Sequence, residues 1–71
     1  MTPEQIYRAD LSRRVKAARK AHGWTQRALA YHAKIGTRSV YRFEAGEDVN
    51  WSTVVKILAV LRVEPTMGEE R

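Results

Sequence analysis

No cysteine occurs among the 71 residues, so neither a disulfide nor a thiolate metal site can staple the fold. That absence fits a reducing cytosol. A chain this short sits near the lower limit at which one hydrophobic core supports folding unaided, so a single domain is expected. Long apolar runs are missing too. The longest stretch, VVKILAVL over residues 54–61, is interrupted by Lys56 and falls far short of the roughly 20 residues that a membrane span needs. The opening MTPEQIYRAD lacks the charged and apolar regions of a signal peptide. These absences lead to the expectation of a soluble, cytoplasmic protein. No catalytic constellation is visible either. His22 and His32 have no cysteine partner and no acid at a spacing that suits a triad or a metal site. Neither an enzyme nor a metal or other cofactor is therefore expected.

One further absence carries more information. From Arg13 to Arg42 there is no acidic residue, while Arg13, Arg14, Lys16, Arg19, Lys20, Arg27, Lys34, Arg38 and Arg42 are all basic. The twelve residues before this stretch sum to −1, and those after it hold six acids and three bases, within a total of +5. Such a basic segment repels itself on folding, and an anionic partner such as a phosphate backbone relieves that repulsion. A basic surface also serves plain solubility, so the excess becomes informative only once it is placed on a fold.

What is present reads as helix throughout, with no strand alternation and no internal repeat. Thr2, Pro3 and Gln5 form a helix start: a hydroxyl cap, a proline at the first helical position and an amide that completes a capping box. Tyr7, Leu11, Val15 and Ala18 then recur at helical spacing, and His22-Gly23 ends the helix, with the histidine side chain placed to meet the last carbonyls. Whether this helix runs unbroken or restarts with Asp10 as a second cap stays open. Thr25 caps a second helix, QRALAYHA, with Trp24 before it as a hydrophobic staple on Leu29. A third helix contains Val40 and Phe43 and closes at Gly46, with Glu47 and Asp48 in the loop beyond. Asn50 caps a fourth, from Trp51 to about Leu61, that ends before Pro65. The expected fold is all-α: a compact domain over residues 1–64 with four helices, then a polar tail over 65–71 that is either frayed or a short fifth helix.

Two short helices joined by a tight turn, the second with the exposed basic and aromatic face Arg38, Tyr41 and Arg42, form a helix-turn-helix over about residues 25–45. The run GWTQRALAYHAKIGTRSVYRFEAG, preceded by RRVKAARKA and followed by VVKILAVL, resembles the phage-repressor-like (XRE-type) helix-turn-helix domains. The matching positions are Arg19, Gly23, Thr25, Gln26, Leu29, Ala30, Ile35, Val40, Phe43, Glu44 and Gly46, and the likeness spans roughly residues 11–63.

The resemblance implies a lambda-repressor-like fold and places residues in roles. Gln26 opens the second helix where the family contacts a DNA phosphate, alongside Thr25, Arg27, Lys34, Gly36 and Tyr41 as backbone contacts. Thr37, Arg38 and Arg42 fall at base-reading positions, and an arginine can donate two hydrogen bonds to the O6 and N7 edge of guanine. Arg19 and Glu44 correspond to a structural ion pair. Lys34 stands where the family usually has a glycine, and Gly36 stands where it usually has a Ser or Thr cap. A shifted register with Gly36 as the turn glycine would move the reading positions by two residues. The ungapped register keeps Gln26, Leu29, Val40, Phe43 and Glu44 in place and is adopted.

The fourth helix has little polar circumference, which leads to the expectation of a homodimer through Trp51, Val55, Leu58 and Val60. The functional expectation is a DNA-binding transcriptional regulator, a repressor on a palindromic operator, prokaryotic or phage-encoded and nucleoid-associated. Two alternatives remain: an antitoxin-type module with a toxin or other protein partner, and a charge-driven nucleic-acid binder without sequence preference.

Overall fold

The structure, a computed structural model, describes residues 1–65. It contains α1 (Pro3–Ala21), α2 (Gln26–Ala33), α3 (Thr37–Glu44) and α4 (Trp51–Leu61). The polar tail expected from residue 65, and with it any fifth helix, lies beyond Pro65 outside the described residues.

Three of the four helices start where a side-chain oxygen accepts from an amide of the first turn that lacks an intrahelical partner. Thr2 accepts from the Gln5 amide while the Gln5 side chain accepts from the Thr2 N–H, a complete capping box. Thr25 accepts from the Ala28 N–H and Asn50 from the Thr53 N–H. Gly36 heads α3 with no side chain to offer. α1 does not restart at Asp10: that carboxylate instead meets Arg13 at 2.8 Å and Arg14 at 3.0 Å, one turn farther along the same helix.

All four helices end in the same way. The residue after the last turn is left-handed at Gly23, Lys34, Gly46 and Arg62, and the next residue's N–H reaches back five positions to a helix carbonyl. These bonds are Trp24 to Arg19, Ile35 to Ala30, Glu47 to Arg42 and Val63 to Leu58. Trp24, Ile35 and Val63, delivered by three of these turns, pack against the core. Lys34 at φ 62° settles the register of the turn: it is the left-handed residue, and Gly36 at φ −73° is ordinary extended backbone. A left-handed side-chain residue costs about 1–2 kcal/mol relative to its normal conformation.

The core gathers Leu11 and Val15 of α1, Leu29 of α2, Val40 and Phe43 of α3, and Val54, Ile57, Leu58 and Leu61 of α4. α3 and α4 each pack against both α1 and α2. Leu58 is only 5 % exposed, which removes it from the expected dimer surface, and Val60 is half-buried against the same core. The fourth helix is largely apolar because α1 and α2 cover its inner side, and its exposed residues are Trp51, Ser52, Val55, Lys56 and Ala59. The chain after α4 folds back over α1. The Tyr7 hydroxyl donates to the Pro65 carbonyl, and Arg14 Nη1 donates to the Glu64 carbonyl at 3.0 Å. No helix among the described residues is long and apolar enough to cross a membrane.

Candidate nucleic-acid interface

α3 buries Val40 and Phe43 completely, and this fixes which side of an eight-residue helix faces outward. Arg38, Tyr41 and Arg42 lie on that outward side, with Tyr41 53 % exposed, and Thr37 is half-buried at the first helical position. Residues at i, i+3 and i+4 share one helix face, so 38, 41 and 42 form a contiguous patch. The expected base-reading set Thr37, Arg38 and Arg42 is thus on one helix, with the two arginines exposed. The uncapped Gly36 leaves the first turn of α3 open to an anion, because no side-chain oxygen occupies it.

The orientation of α3 rests on a buried network. Glu44 is 8 % exposed and Arg19 9 %. Arg19 Nε donates to Glu44 Oε2 at 2.7 Å and Nη2 donates to Oε1 at 3.1 Å, a two-pronged pair that joins the end of α1 to the end of α3. Arg19 Nη1 also donates to the Trp24 carbonyl at 2.9 Å, and Gln26 Nε2 donates to Glu44 Oε1 at 3.1 Å. The structural pair expected at these positions is therefore present and holds α1, α2 and α3 together. Gln26, expected at a DNA phosphate, is also tied into this network. Its amide is not simply presented to solvent, because Glu44 takes one of its two N–H groups and leaves one for an outside acceptor.

The other expected backbone contacts are at the surface. Thr25, Arg27, Lys34 and Gly36 are all exposed, and the Thr25 hydroxyl, although accepting from Ala28, still has its own proton to donate. Tyr31 is 79 % exposed between Arg27 and Lys34 on the outer side of α2, and the sequence pattern did not single it out. Its spacing of four from Arg27 was the available signal.

The basic segment is less uniform in space than along the chain. Arg13 and Arg14 are partnered by Asp10, Arg19 by Glu44 and Arg42 by Glu47. Lys16, Lys20, Arg27, Lys34 and Arg38 remain exposed with no ion pair among the described residues. The acid-free face expected for α3 is also corrected. Arg42 Nε donates to Glu47 Oε1 at 3.3 Å, and its Nη2 donates to the Asp48 carbonyl at 3.5 Å.

The histidines take no part in this face. The His22 ring does not meet the last carbonyls of α1 as expected; it stacks on Trp24 with centroids 4.5 Å apart, and His32 stacks on the same indole at 4.1 Å. Both rings cover the half-buried tryptophan that follows the first helix.

The family model for a helix-turn-helix domain matches residues 10–70. No curated protein and no solved structure matches the chain.

Proposed function

Because the chain belongs to the helix-turn-helix domain family, we propose that it is a sequence-specific regulator of transcription that binds double-stranded DNA and represses by occupying an operator. The observation that carries this reading is the outward face of α3. Arg38, Tyr41 and Arg42 are exposed on a helix whose opposite side is locked into the core, and α2 supports it through Gln26 and Glu44. An eight-residue helix is about 12 Å long, comparable with the width of the major groove. Arg38 and Arg42 donate to guanine edges in the groove, and Thr37 supplies a hydroxyl or methyl contact. Thr25, Gln26, Arg27, Lys34, Gly36 and Tyr41 meet the phosphates that border it. Phosphate contacts set position, and base contacts set sequence.

The repressor binds as a homodimer through the open side of α4, Trp51 and Val55, and its site is a palindrome with half-sites one DNA turn apart.

The test is selection of bound duplexes from a random DNA library at near-physiological salt, followed by sequencing. A palindromic motif with guanines in each half-site is the expected result. Tight, salt-sensitive binding with no enriched motif would overturn the sequence-specific reading and leave a charge-driven binder.

A further inference from the structure

We propose that Glu47 is a positioning residue for base recognition: the turn that ends α3 folds back to orient Arg42 so that one defined edge of its guanidinium faces the groove. This rests on the reading that α3 recognises DNA.

The argument begins in the backbone. Gly46 is left-handed at φ 83°, and the Glu47 N–H reaches back to the Arg42 carbonyl at 3.0 Å. That bond ties residue 47 to residue 42 whatever the side chains do. The side chains then meet across the same turn. Glu47 Oε1 accepts from Arg42 Nε at 3.3 Å, and the Asp48 carbonyl accepts from Nη2 at 3.5 Å. Arg42 and Glu47 are thus joined twice, once through main chain and once through side chain.

Which nitrogens are used matters. A guanidinium is a planar fork, and its Nε–H and the adjacent Nη2–H point along one side, whereas Nη1–H and the second Nη2–H point off the end. Glu47 and Asp48 accept from the side. The end remains for the two acceptors of guanine, O6 and N7, in the bidentate arrangement that distinguishes this base. Both contacts are long, and the side chains of Arg42 and Glu47 are 53 % and 58 % exposed. The turn therefore orients the arginine without sequestering it. Among the described residues Arg38 has no such partner, so there the turn after α3 holds Arg42 and not Arg38.

The carboxylate has a second effect of opposite sign. It sits at the edge of a face that approaches phosphates, so it weakens attraction to DNA of any sequence. Removing it separates selectivity from affinity, which a purely structural role would not do.

The experiment uses the full chain and the motif enriched from the random library. E47Q keeps the size of the side chain and removes its charge, and R42A removes the guanidinium. For E47Q, discrimination at one base pair of each half-site falls about threefold to tenfold, a part of what a bidentate contact supplies. Affinity for unrelated DNA rises about twofold to fivefold at low salt. R42A loses discrimination at the same base pair, and E47Q added to R42A changes it no further, because the two residues act as one unit. A wild-type motif with an unchanged E47Q profile, or an E47Q loss that persists in full on the R42A background, would overturn the role of Glu47 and leave DNA recognition by α3 intact. A wild-type protein that enriches no motif would overturn both.

Discussion

Among the described residues, Arg19 and Glu44 are the two charged side chains that the fold buries, and the energetics of such pairs are asymmetric. Replacing both partners by apolar residues of similar size is often nearly neutral, whereas removing one leaves an uncompensated buried charge at a cost of about 3–5 kcal/mol. Glu44→Ala is expected to fall in that range, because it strands the Arg19 guanidinium and deprives Gln26 of its acceptor. Urea unfolding checks this, and the double variant Arg19→Met, Glu44→Leu should recover most of the loss. A single-variant loss below about 1 kcal/mol, the level of an exposed pair, would show that the network is solvated. Lys34 poses a different question at the same scale, because its backbone and its charge pull in opposite directions. Lys34→Gly relieves a φ of 62° and should stabilise the fold by about 0.5–1 kcal/mol after the flexibility of glycine is counted. The same change removes an exposed ammonium that meets a phosphate in the proposed complex, so it should weaken binding to all DNA sequences and lower the salt slope by roughly one. A more stable protein with an unchanged salt slope would remove Lys34 from the DNA contacts.

Among the described helices, α3 is the one whose start carries no side-chain cap. Gly36 has φ −73° and ψ 148°, a conformation open to any residue, and a Cβ built there meets nothing within 4 Å. Gly36→Ser should therefore stabilise by about 0.5–1 kcal/mol, partly by capping the amides of the first turn and partly by restricting the unfolded chain. A shift of the thermal midpoint upward checks it, and a downward shift would mean that the first turn of α3 needs the bare glycine. The helix starts at Thr2, Thr25 and Asn50 were legible in the sequence because a cap acts over three residues, within one stretch of chain. The ends at Gly23 and Gly46 were legible for the same local reason. Lys34 stood out only against the glycine usual in the resembling family, and Arg62 gave no sign, because tertiary packing of Ile35 and Val63 imposes left-handed backbone on residues that resist it. The site divided along the same line. The exposed position of Arg38 and Arg42 on α3 followed from helical spacing, whereas their base-reading role is what the family resemblance implies. Glu47 did not, because its approach to Arg42 depends on how the chain turns after the helix, and Leu58 was misplaced because an apolar helix side looks alike whether it faces the core or a partner.

For the whole molecule, the proposed operator specificity has to be reached by a domain with principal extents of 30 × 25 × 17 Å. One recognition helix touches only a few base pairs, and each mismatch costs about 1–3 kcal/mol, so a single half-site discriminates weakly against a genome. Two protomers side by side can bring two copies of α3 about 34 Å apart, one turn of DNA, since each is 30 Å in its longest dimension. The surface available for that association is the remaining open side of α4, where Trp51 is 60 % exposed and Val55 44 % exposed, one helical turn apart. Val55→Asp is the decisive change. The side chain lies outside the core, so stability should stay within about 0.5 kcal/mol of the wild type. A two-fold interface uses the same patch twice, so the substitution places two carboxylates in it. Sedimentation should show a dimer for the wild type and a monomer for the variant at the same micromolar concentration. Affinity for the full palindrome should fall by at least about tenfold, while affinity for an isolated half-site stays unchanged, because α3 and its supporting network are untouched. A wild type that sediments as a monomer at high micromolar concentration, and that gains nothing from the second half-site, would remove α4 as a dimer surface and leave each domain reading DNA alone.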